Sequence, residues 1–197
     1  MYPPLLRKRW TLVARPRLAV IGKPDLLLRQ SVGLICSRRC PGSVILKMYD
    51  FAQKLKLYDC VIAGGFQSPM ERECLEVLMR GRSSLVFCPA RGIDRLRPLR
   101  QHAELIEAGR MTIVSPFAGE VRRCTEKLAG IRNRFVAALA SSIIIPHAAR
   151  GSETDAIARE LLALSLPVYT LEDSSNSSLL ALGAQPLERS TIQPGLA

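Results

Sequence analysis

Short apolar runs alternate with longer amphipathic segments along most of the chain, and this rhythm constrains the fold more than any other feature. The apolar runs predict strands near residues 18–21, 32–35, 60–63, 85–88, 112–114, 142–145 and 168–169. Helical periodicity lies between them, near residues 43–56, 69–79, 96–107, 131–140 and 153–164. Such alternation is typical of βαβ units. We therefore predict an α/β protein, a single Rossmann-like domain with a doubly wound, mainly parallel sheet and helices on both faces.

The domain organisation follows from the chain length and the distribution of polar residues. A chain of 197 residues suits one domain. We expect this domain over residues 1–187, with a lead-in segment at 1–30, and a disordered tail over 188–197. No run approaches the roughly 18 apolar residues that span a bilayer, and no secretory leader pattern is visible. We expect a cytoplasmic protein with no membrane partner.

The charge balance favours an anionic partner. The chain has 28 Lys and Arg against 17 Asp and Glu, a formal charge of +11, and 22 of the cations are arginine. The planar guanidinium binds phosphate with two parallel hydrogen bonds. Residues 1–40 contain nine cations and a single acid, Asp25, and this asymmetry indicates a partner on one face. An arginine-rich proteome would give a similar composition without such a partner, so both explanations stay open.

The chain offers little for catalysis or metal binding. Cys36 and Cys40 have a weak zinc spacing, but no second pair matches it, and His102 and His147 are the only histidines. Neither a nucleophile elbow nor a Walker A motif is present, and His102 is expected on a helix surface. We expect reduced, structural cysteines, no metal, no cofactor and no catalytic residue. A binding function therefore fits the sequence better than a catalytic one.

Four segments that follow predicted strands carry groups suited to phosphate. They are residues 36–39, 64–68, 132–134 and 151–155, the third expected to open a helix after an irregular stretch at 117–130. Hydroxyls, glycines and arginines at helix starts favour an anion, because backbone N–H groups and the helix dipole point there. Solvated turns or a helix cap would explain the same residues. The candidate phosphate- or DNA-binding residues are Ser37, Arg38, Gly64, Gly65, Lys127, Arg132, Asn133, Arg134, Gly151, Ser152 and Thr154.

In order, these segments resemble motifs of the DprA/Smf DNA-processing family. The residues that carry the resemblance are the lead-in at 2–6 and 18–27, the turn at 32–38, Gly64-Gly65-Phe66, the helix start at 132–140 with its Arg132-Asn133-Arg134, and the segments 151–156 and 176–184. The resemblance implies a Rossmann-like domain that binds single-stranded DNA and helps to load a RecA-type recombinase in recombination or natural transformation, often as a homodimer. The chain departs from the family pattern where Cys36 replaces a glycine and where the loop at Gly64-Gly65 lacks the family's Ala-x-Gly-Ile-Asp pattern. Ahead of Arg132 it reads Ala129-Gly130-Ile131, where the family tends to have a Phe-Pro pair.

Two alternatives stay beside this interpretation. One is a protein of the same superfamily that binds a nucleotide or nucleotide derivative at these loops. The other is an enzyme that resembles nucleoside-monophosphate phosphoribohydrolases. Those enzymes have a glycine-rich loop followed by a glutamate, and Gly151-Ser152-Glu153-Thr154 matches that motif only in part. An open groove lined by arginine would favour DNA, whereas a closed pocket with a positioned carboxylate such as Glu153 would favour hydrolysis.

Overall fold

A single sheet organises the part of the chain that the computed structural model describes, residues 17–188. The strands are β1 (Ala19–Ile21), β2 (Ser31–Leu34), β3 (Val61–Gly64), β4 (Ser84–Phe87), β5 (Met111–Ser115), β6 (Ser142–Ile144), β7 (Val168–Thr170) and β8 (Gln185–Pro186). Their order across the sheet is β1-β5-β4-β3-β2-β6-β7-β8. Only β1 runs antiparallel to its neighbour, β5, and the other pairs are parallel.

Helices cover both faces of this sheet. They are α1 (Gly42–Leu55), α2 (Pro69–Met79), α3 (Arg100–Glu107), α4 (Glu126–Leu139), α5 (Glu153–Ala163) and α6 (Ser177–Ala181), with 3-10 turns at Pro24–Leu27 and Ser174–Asn176. On one face, Val44 and Met48 of α1 and Leu78 of α2 enter a buried cluster. On the other, Phe135 of α4 and Ile157 of α5 pack in a second cluster. The predicted α/β, doubly wound and mainly parallel fold is confirmed.

The connections reverse direction at the centre of the sheet. From β2 the chain passes through α1 to β3 on one side, whereas α4 carries it from β5 back to β6 on the other side of β2. In doubly wound sheets this reversal opens a crevice beyond the carboxyl ends of the two central strands. The ends of β2 and β6 therefore border the expected ligand position.

The predicted helix at residues 131–140 is wrong at its start, which lies at Glu126. The side chain of Thr125 accepts a hydrogen bond from the Leu128 N–H at 3.2 Å and caps the helix. The irregular stretch predicted up to residue 130 consequently ends at Thr125. As a result, Arg132 lies in the second turn of α4 rather than at its first residues.

Other differences have simple causes. The helix predicted from residue 96 starts only at Arg100, because Pro98 and the extended Leu99 (ψ 154°) precede it. His102 is buried beside the Phe87 ring at a centroid distance of 5.9 Å, so the surface prediction is wrong. The short elements β8 and α6 were not predicted, since they contain too few residues to show a periodicity.

Some predictions lie partly outside the described residues. The lead-in contributes β1 and the Pro24–Leu27 turn, but its residues 1–16 lie outside them, as does the predicted tail from residue 189 onward. The domain boundary at 187 stays a prediction. Within residues 17–188, no helix is long and apolar enough to cross a membrane.

Candidate functional site

A cleft of about 890 Å³ lies at the carboxyl ends of β2, β3 and β6. The starts of α2 and α5 form two of its walls, and the second turn of α4 forms a third. Helix N-termini carry partial positive charge, so the two helix starts favour an anion there. The lining residues are Cys36, Ser37, Arg38, Arg39, Gln67, Ser68, Pro69, Glu71, Arg72, Cys124, Thr125, Glu126, Ala129, Gly130, Arg132, Asn133, Ala149, Ser152, Glu153 and Thr154.

Arg132 is the most unusual of these side chains, because it is only 3% exposed. Its Nη1 donates to the Cys88 carbonyl at 3.4 Å and its Nη2 to Gln67 Oε1 at 3.0 Å, while Nε has no partner among the described residues. No carboxylate within residues 17–188 forms an ion pair with it. A buried cation that forms no ion pair is costly to desolvate, which makes Arg132 the strongest candidate contact for an anion in this cleft.

The glycines after β3 make room for side chains. A Cβ on Gly65 would fall on the Arg132 guanidinium. A Cβ on Gly64 would lie 3.0 Å from the Phe66 ring. The left-handed conformation in this turn belongs to Phe66 (φ 47°), which is buried. Neither glycine lines the cleft, but Gly65 sets the position of the guanidinium that does.

Two of the predicted hydroxyls meet at the end of the cleft between β2 and β6. Ser37 Oγ lies 3.2 Å from Ser152 Oγ and accepts a hydrogen bond from the Ala149 N–H at 3.1 Å. Ser152 also caps α5, since its Oγ accepts from the Asp155 N–H. The first and fourth predicted segments, 115 residues apart, are thereby joined in one wall.

Glu71 occupies the backbone donors beside the cleft. One carboxylate oxygen accepts the Cys36 N–H at 2.8 Å, and the other accepts those of Gln67 at 2.8 Å and Ser68 at 3.2 Å. Glu71 is 2% exposed and belongs to a capping box with Ser68. The chain's own carboxylate thus takes N–H groups that a phosphate would otherwise reach.

Arg134 has a different environment from Arg132. Its Nη1 pairs with Glu153 and its Nη2 with Glu160, both at 2.6 Å, and it does not line the cleft. Hydrogen bonding to Glu160 above all raises the pKa of Arg134 above its ordinary value. These ion pairs tie α4 to α5 and also hold Glu153, whose carboxylate is exposed at the cleft wall.

The structure gathers six of the predicted residues in the lining: Ser37, Arg38, Arg132, Asn133, Ser152 and Thr154. Arg38 forms a 3.4 Å ion pair with Glu126, and both side chains are largely exposed. Gly151 adopts φ +74° in the turn before α5, outside the lining, and Lys127 is exposed on the first turn of α4. Whether each of these residues contacts a ligand stays a prediction.

Several lining residues were missed from the sequence. The Ser68-x-x-Glu71 spacing is a capping-box signal that could have identified Glu71. Gln67 lies in the predicted segment 64–68 but was not among its candidate residues. Arg72 and Cys124 carry no local signal, because only the packing of α4 against the turn after β3 brings them to the cleft.

Basic loops extend the carboxyl edge of the sheet beyond the cleft. The loop after β4 contains Arg91 and Arg95, and the loop after β5 contains Arg122 and Arg123. The Gly92 N–H donates to the Val121 carbonyl at 2.8 Å, so the two loops pack together. All four arginines are exposed, and they outnumber Asp94 and Glu120, the exposed acids of the same two loops.

The cysteines beside the cleft are thiols. A hydrogen bond with Cys40, together with burial, raises the pKa of Cys36 well above its ordinary value, and the same bond lowers the pKa of Cys40. Among residues 17–188, no group of three His, Cys, Asp or Glu is arranged to hold a metal ion.

The fold and this cleft define the class: a Rossmann-like, doubly wound protein with an arginine-lined crevice at the reversal of its strand order. Comparison with known families gives the particular family. The chain belongs to the DNA recombination-mediator protein A family, whose model matches residues 1–191. The resemblance to DprA/Smf proteins is thereby confirmed, and the chain is a member of a DNA-processing family.

Solved structures agree in fold. DNA processing protein A from Streptococcus pneumoniae matches with a TM-score of 0.74 and 18% identity, over 94% of this chain and 67% of that one. The Helicobacter pylori protein, studied for its single-stranded DNA binding mode, matches with a TM-score of 0.75 and 22% identity, over 93% and 86%. A molybdenum cofactor carrier protein from Chlamydomonas reinhardtii has a TM-score of 0.55 and 9% identity, over 83% and 93%. No curated protein sequence matches the chain.

Proposed function

We propose that the cleft binds the phosphate backbone of single-stranded DNA, with Arg132 at its centre. The observation that carries this proposal is the guanidinium of Arg132, which is 3% exposed and has no carboxylate partner within residues 17–188. A phosphate would supply the missing counter-charge through charge-assisted hydrogen bonds. The hydroxyls of Ser37 and Ser152 and the start of α5 lie in the same cleft.

The basic edge supports a polymer as the ligand. Exposed arginines of the loops after β4 and β5 continue from the cleft along the carboxyl ends of the strands. Neighbouring strands lie about 4.8 Å apart, so the positions from β2 to β5 extend over roughly 14 Å. A positively charged groove of this kind tracks a single-strand backbone without reading its sequence. A mononucleotide would leave these loops unused.

Family membership supports the same role. A family relative from Helicobacter pylori, similar in fold, was studied for single-stranded DNA binding. The further roles that the resemblance implies are part of the proposal: assistance to a RecA-type recombinase in recombination or natural transformation, and action as a homodimer. A cytoplasmic location is proposed with them. We propose a binding protein without enzymatic activity.

A nucleotide-sized ligand is the second candidate, and the cleft volume is the observation that favours it. About 890 Å³ falls within the range of small-molecule sites, roughly 300–1,000 Å³. The phosphoribohydrolase alternative has less support, because Glu153 is exposed and paired with Arg134. A general acid or base is better placed in a water-excluded pocket.

The test is fluorescence anisotropy of a labelled oligo-dT strand, titrated with the full chain across a salt series. Excess duplex DNA and excess AMP serve as competitors. We expect tight binding at low salt, an affinity that falls steeply with salt, and weak displacement by either competitor. Displacement by stoichiometric AMP would favour the nucleotide candidate. No binding at low salt would contradict the proposal.

A further inference from the structure

The side chain of Gln67 lies over the buried guanidinium of Arg132. Its Oε1 accepts from Arg132 Nη2 at 3.0 Å, and its Nε2 donates to Cys124 Sγ at 3.0 Å. Gln67 is exposed, whereas Arg132 is 3% exposed. The amide thus bridges the turn after β3 and the loop before α4, and it occupies Nη2 of the guanidinium beside the cleft.

This contact supplies a hydrogen-bond acceptor without supplying charge. A neutral amide oxygen satisfies one N–H of the guanidinium, the Cys88 carbonyl is a distant second acceptor at 3.4 Å, and Nε has none within the described residues. The bond to Gln67 is charge-assisted only through its cationic donor, whereas an anionic acceptor would add the Coulomb attraction of an opposite charge, which is stronger in a buried site than in water. An anionic oxygen would therefore be preferred to the Gln67 amide at the same position.

The backbone of Gln67 is fixed, so its side chain can leave without unfolding the turn. Its N–H donates to Glu71 Oε2 at 2.8 Å, and its carbonyl accepts from Arg72 Nε at 3.1 Å. The preceding Phe66 is buried and packs against Phe87 at 6.0 Å between ring centroids. Rotation of the exposed side chain would therefore free Arg132 Nη2 while the backbone of the turn keeps its hydrogen bonds.

We propose that the Gln67 amide is a placeholder on Arg132 and that a phosphate oxygen of the ligand displaces it. This inference rests on the proposed function for the identity of the ligand, but the displacement itself requires only a phosphate group. Gln67 is then the residue that sets access to the buried cation. A neutral placeholder yields to phosphate, whereas a carboxylate at this position would compete with it.

Three variants of the full chain test the placeholder. Gln67→Glu places a carboxylate beside Arg132, Gln67→Ala removes the acceptor, and Gln185→Glu makes the same charge change on β8, outside the cleft lining. Each is titrated with labelled oligo-dT, and each is melted with and without inorganic phosphate. The two probes separate displacement by phosphate from recognition of DNA.

We expect the two Gln67 variants to change the oligo-dT affinity and the ligand-free Tm in opposite directions. Gln67→Glu lowers the oligo-dT affinity about tenfold or more and keeps or raises the ligand-free Tm, because it gives the buried cation an internal partner. Gln67→Ala binds as tightly as wild type, or about two- to fivefold more tightly, and has a lower ligand-free Tm, because a buried N–H loses its acceptor. Gln185→Glu changes the affinity less than about twofold, as expected for a distant surface charge.

Two other outcomes would overturn the proposal that phosphate displaces the Gln67 amide. Weaker binding by Gln67→Ala would make Gln67 a ligand contact, and equal binding by the Ala and Glu variants would remove its control of Arg132. If wild type does not bind oligo-dT, the phosphate-induced Tm shifts decide. If the phosphate-induced Tm shifts rank the variants in the order expected for their affinities, the displacement of Gln67 stands and the DNA proposal is rejected. If phosphate shifts the Tm of no variant, both proposals are overturned.

Discussion

Arg132 and Arg134 lie two residues apart on α4, but only Arg134 forms ion pairs with carboxylates. Two glutamates neutralise Arg134, whose side chain is 22% exposed, whereas the more deeply buried Arg132 contacts only neutral acceptors. A buried cation without a partner lowers stability, so its presence points to a ligand rather than to folding. From the sequence alone, both arginines were predicted as phosphate-binding residues, with no difference between them.

Arg132→Met tests this difference directly. Methionine keeps the length and apolar part of the side chain and removes the buried charge. We expect the oligo-dT affinity to fall at least about tenfold, since a charged contact is lost. The free energy of unfolding should stay within about 1 kcal/mol of wild type or exceed it, because a desolvated cation disappears together with its weak hydrogen bonds. Anisotropy and urea unfolding measure the two quantities.

A loss of more than about 3 kcal/mol in Arg132→Met would contradict this account, because a loss of that size is typical of breaking a buried ion pair. Circular dichroism of the variant provides the control for folding. Unchanged oligo-dT affinity in the folded variant would exclude Arg132 as the central contact.

His102 gives a pH dependence that does not involve the cleft. Burial lowers the pKa of His102 below its ordinary value. The unfolded state therefore takes up its proton first, so this residue's contribution to stability is complete above about pH 6.5 and is lost as the pH falls toward the folded pKa. The loss cannot exceed about 1.4 kcal/mol per pH unit for one proton.

The His102→Phe variant tests the contribution of His102 to the pH dependence of stability. It keeps an aromatic ring beside Phe87 and cannot take up a proton. Urea unfolding between pH 5 and pH 8 should show a smaller decline at low pH for the variant than for wild type. Identical declines would mean that other groups cause the whole effect.

At the scale of elements, the contact between α4 and α5 depends on Arg134. Its guanidinium joins Glu153 at the start of α5 and Glu160 two turns later, each at 2.6 Å. Arg134→Met should lower the free energy of unfolding by about 1–2 kcal/mol, since two partly exposed ion pairs are lost. Its effect on oligo-dT affinity should be smaller than that of Arg132→Met.

The matched control for Arg134→Met is Arg159→Met. Arg159 also pairs with a carboxylate, Asp155, but within one helix and at 3.3 Å. We expect a loss of about 0.5 kcal/mol or less for such a pair. Equal losses in the two variants, measured by urea unfolding, would show that the link between helices adds no stability.

The elements that could be predicted from sequence are those with a strong local pattern. The central strands were located to within one residue, because continuous apolar runs mark strands buried on both faces, and α2 was predicted with its observed bounds. The start of α4 was missed, since the Thr125 cap precedes a polar first turn that looks like loop sequence. β8 and α6 are positioned by packing.

The candidate site was predictable only in part for the same reason. Residues in loops after strands, such as Ser37 and Ser152, could be inferred from the parallel topology, which brings the carboxyl ends of strands to one edge. The burial of Arg132 and its cover by Gln67 depend on contacts 65 residues apart. No local pattern encodes such a contact.

At the scale of the whole molecule, the proposed DNA contacts all lie on one edge of the sheet. The cleft lies at the carboxyl ends of β2, β3 and β6, and the basic loops after β4 and β5 continue that edge. The amino ends of the parallel strands lie at the opposite edge. The chain has a formal charge of +11, but we expect its diffuse attraction to contribute less to the DNA affinity than the contacts at this edge.

Hydrogen–deuterium exchange of the full chain, with and without saturating oligo-dT, shows which edge of the sheet contacts DNA. We expect slower amide exchange at residues 36–39, 67–72, 125–133 and 149–154, and unchanged exchange at β8. Protection confined to segments outside the cleft, or spread evenly over the chain despite tight binding, would contradict it.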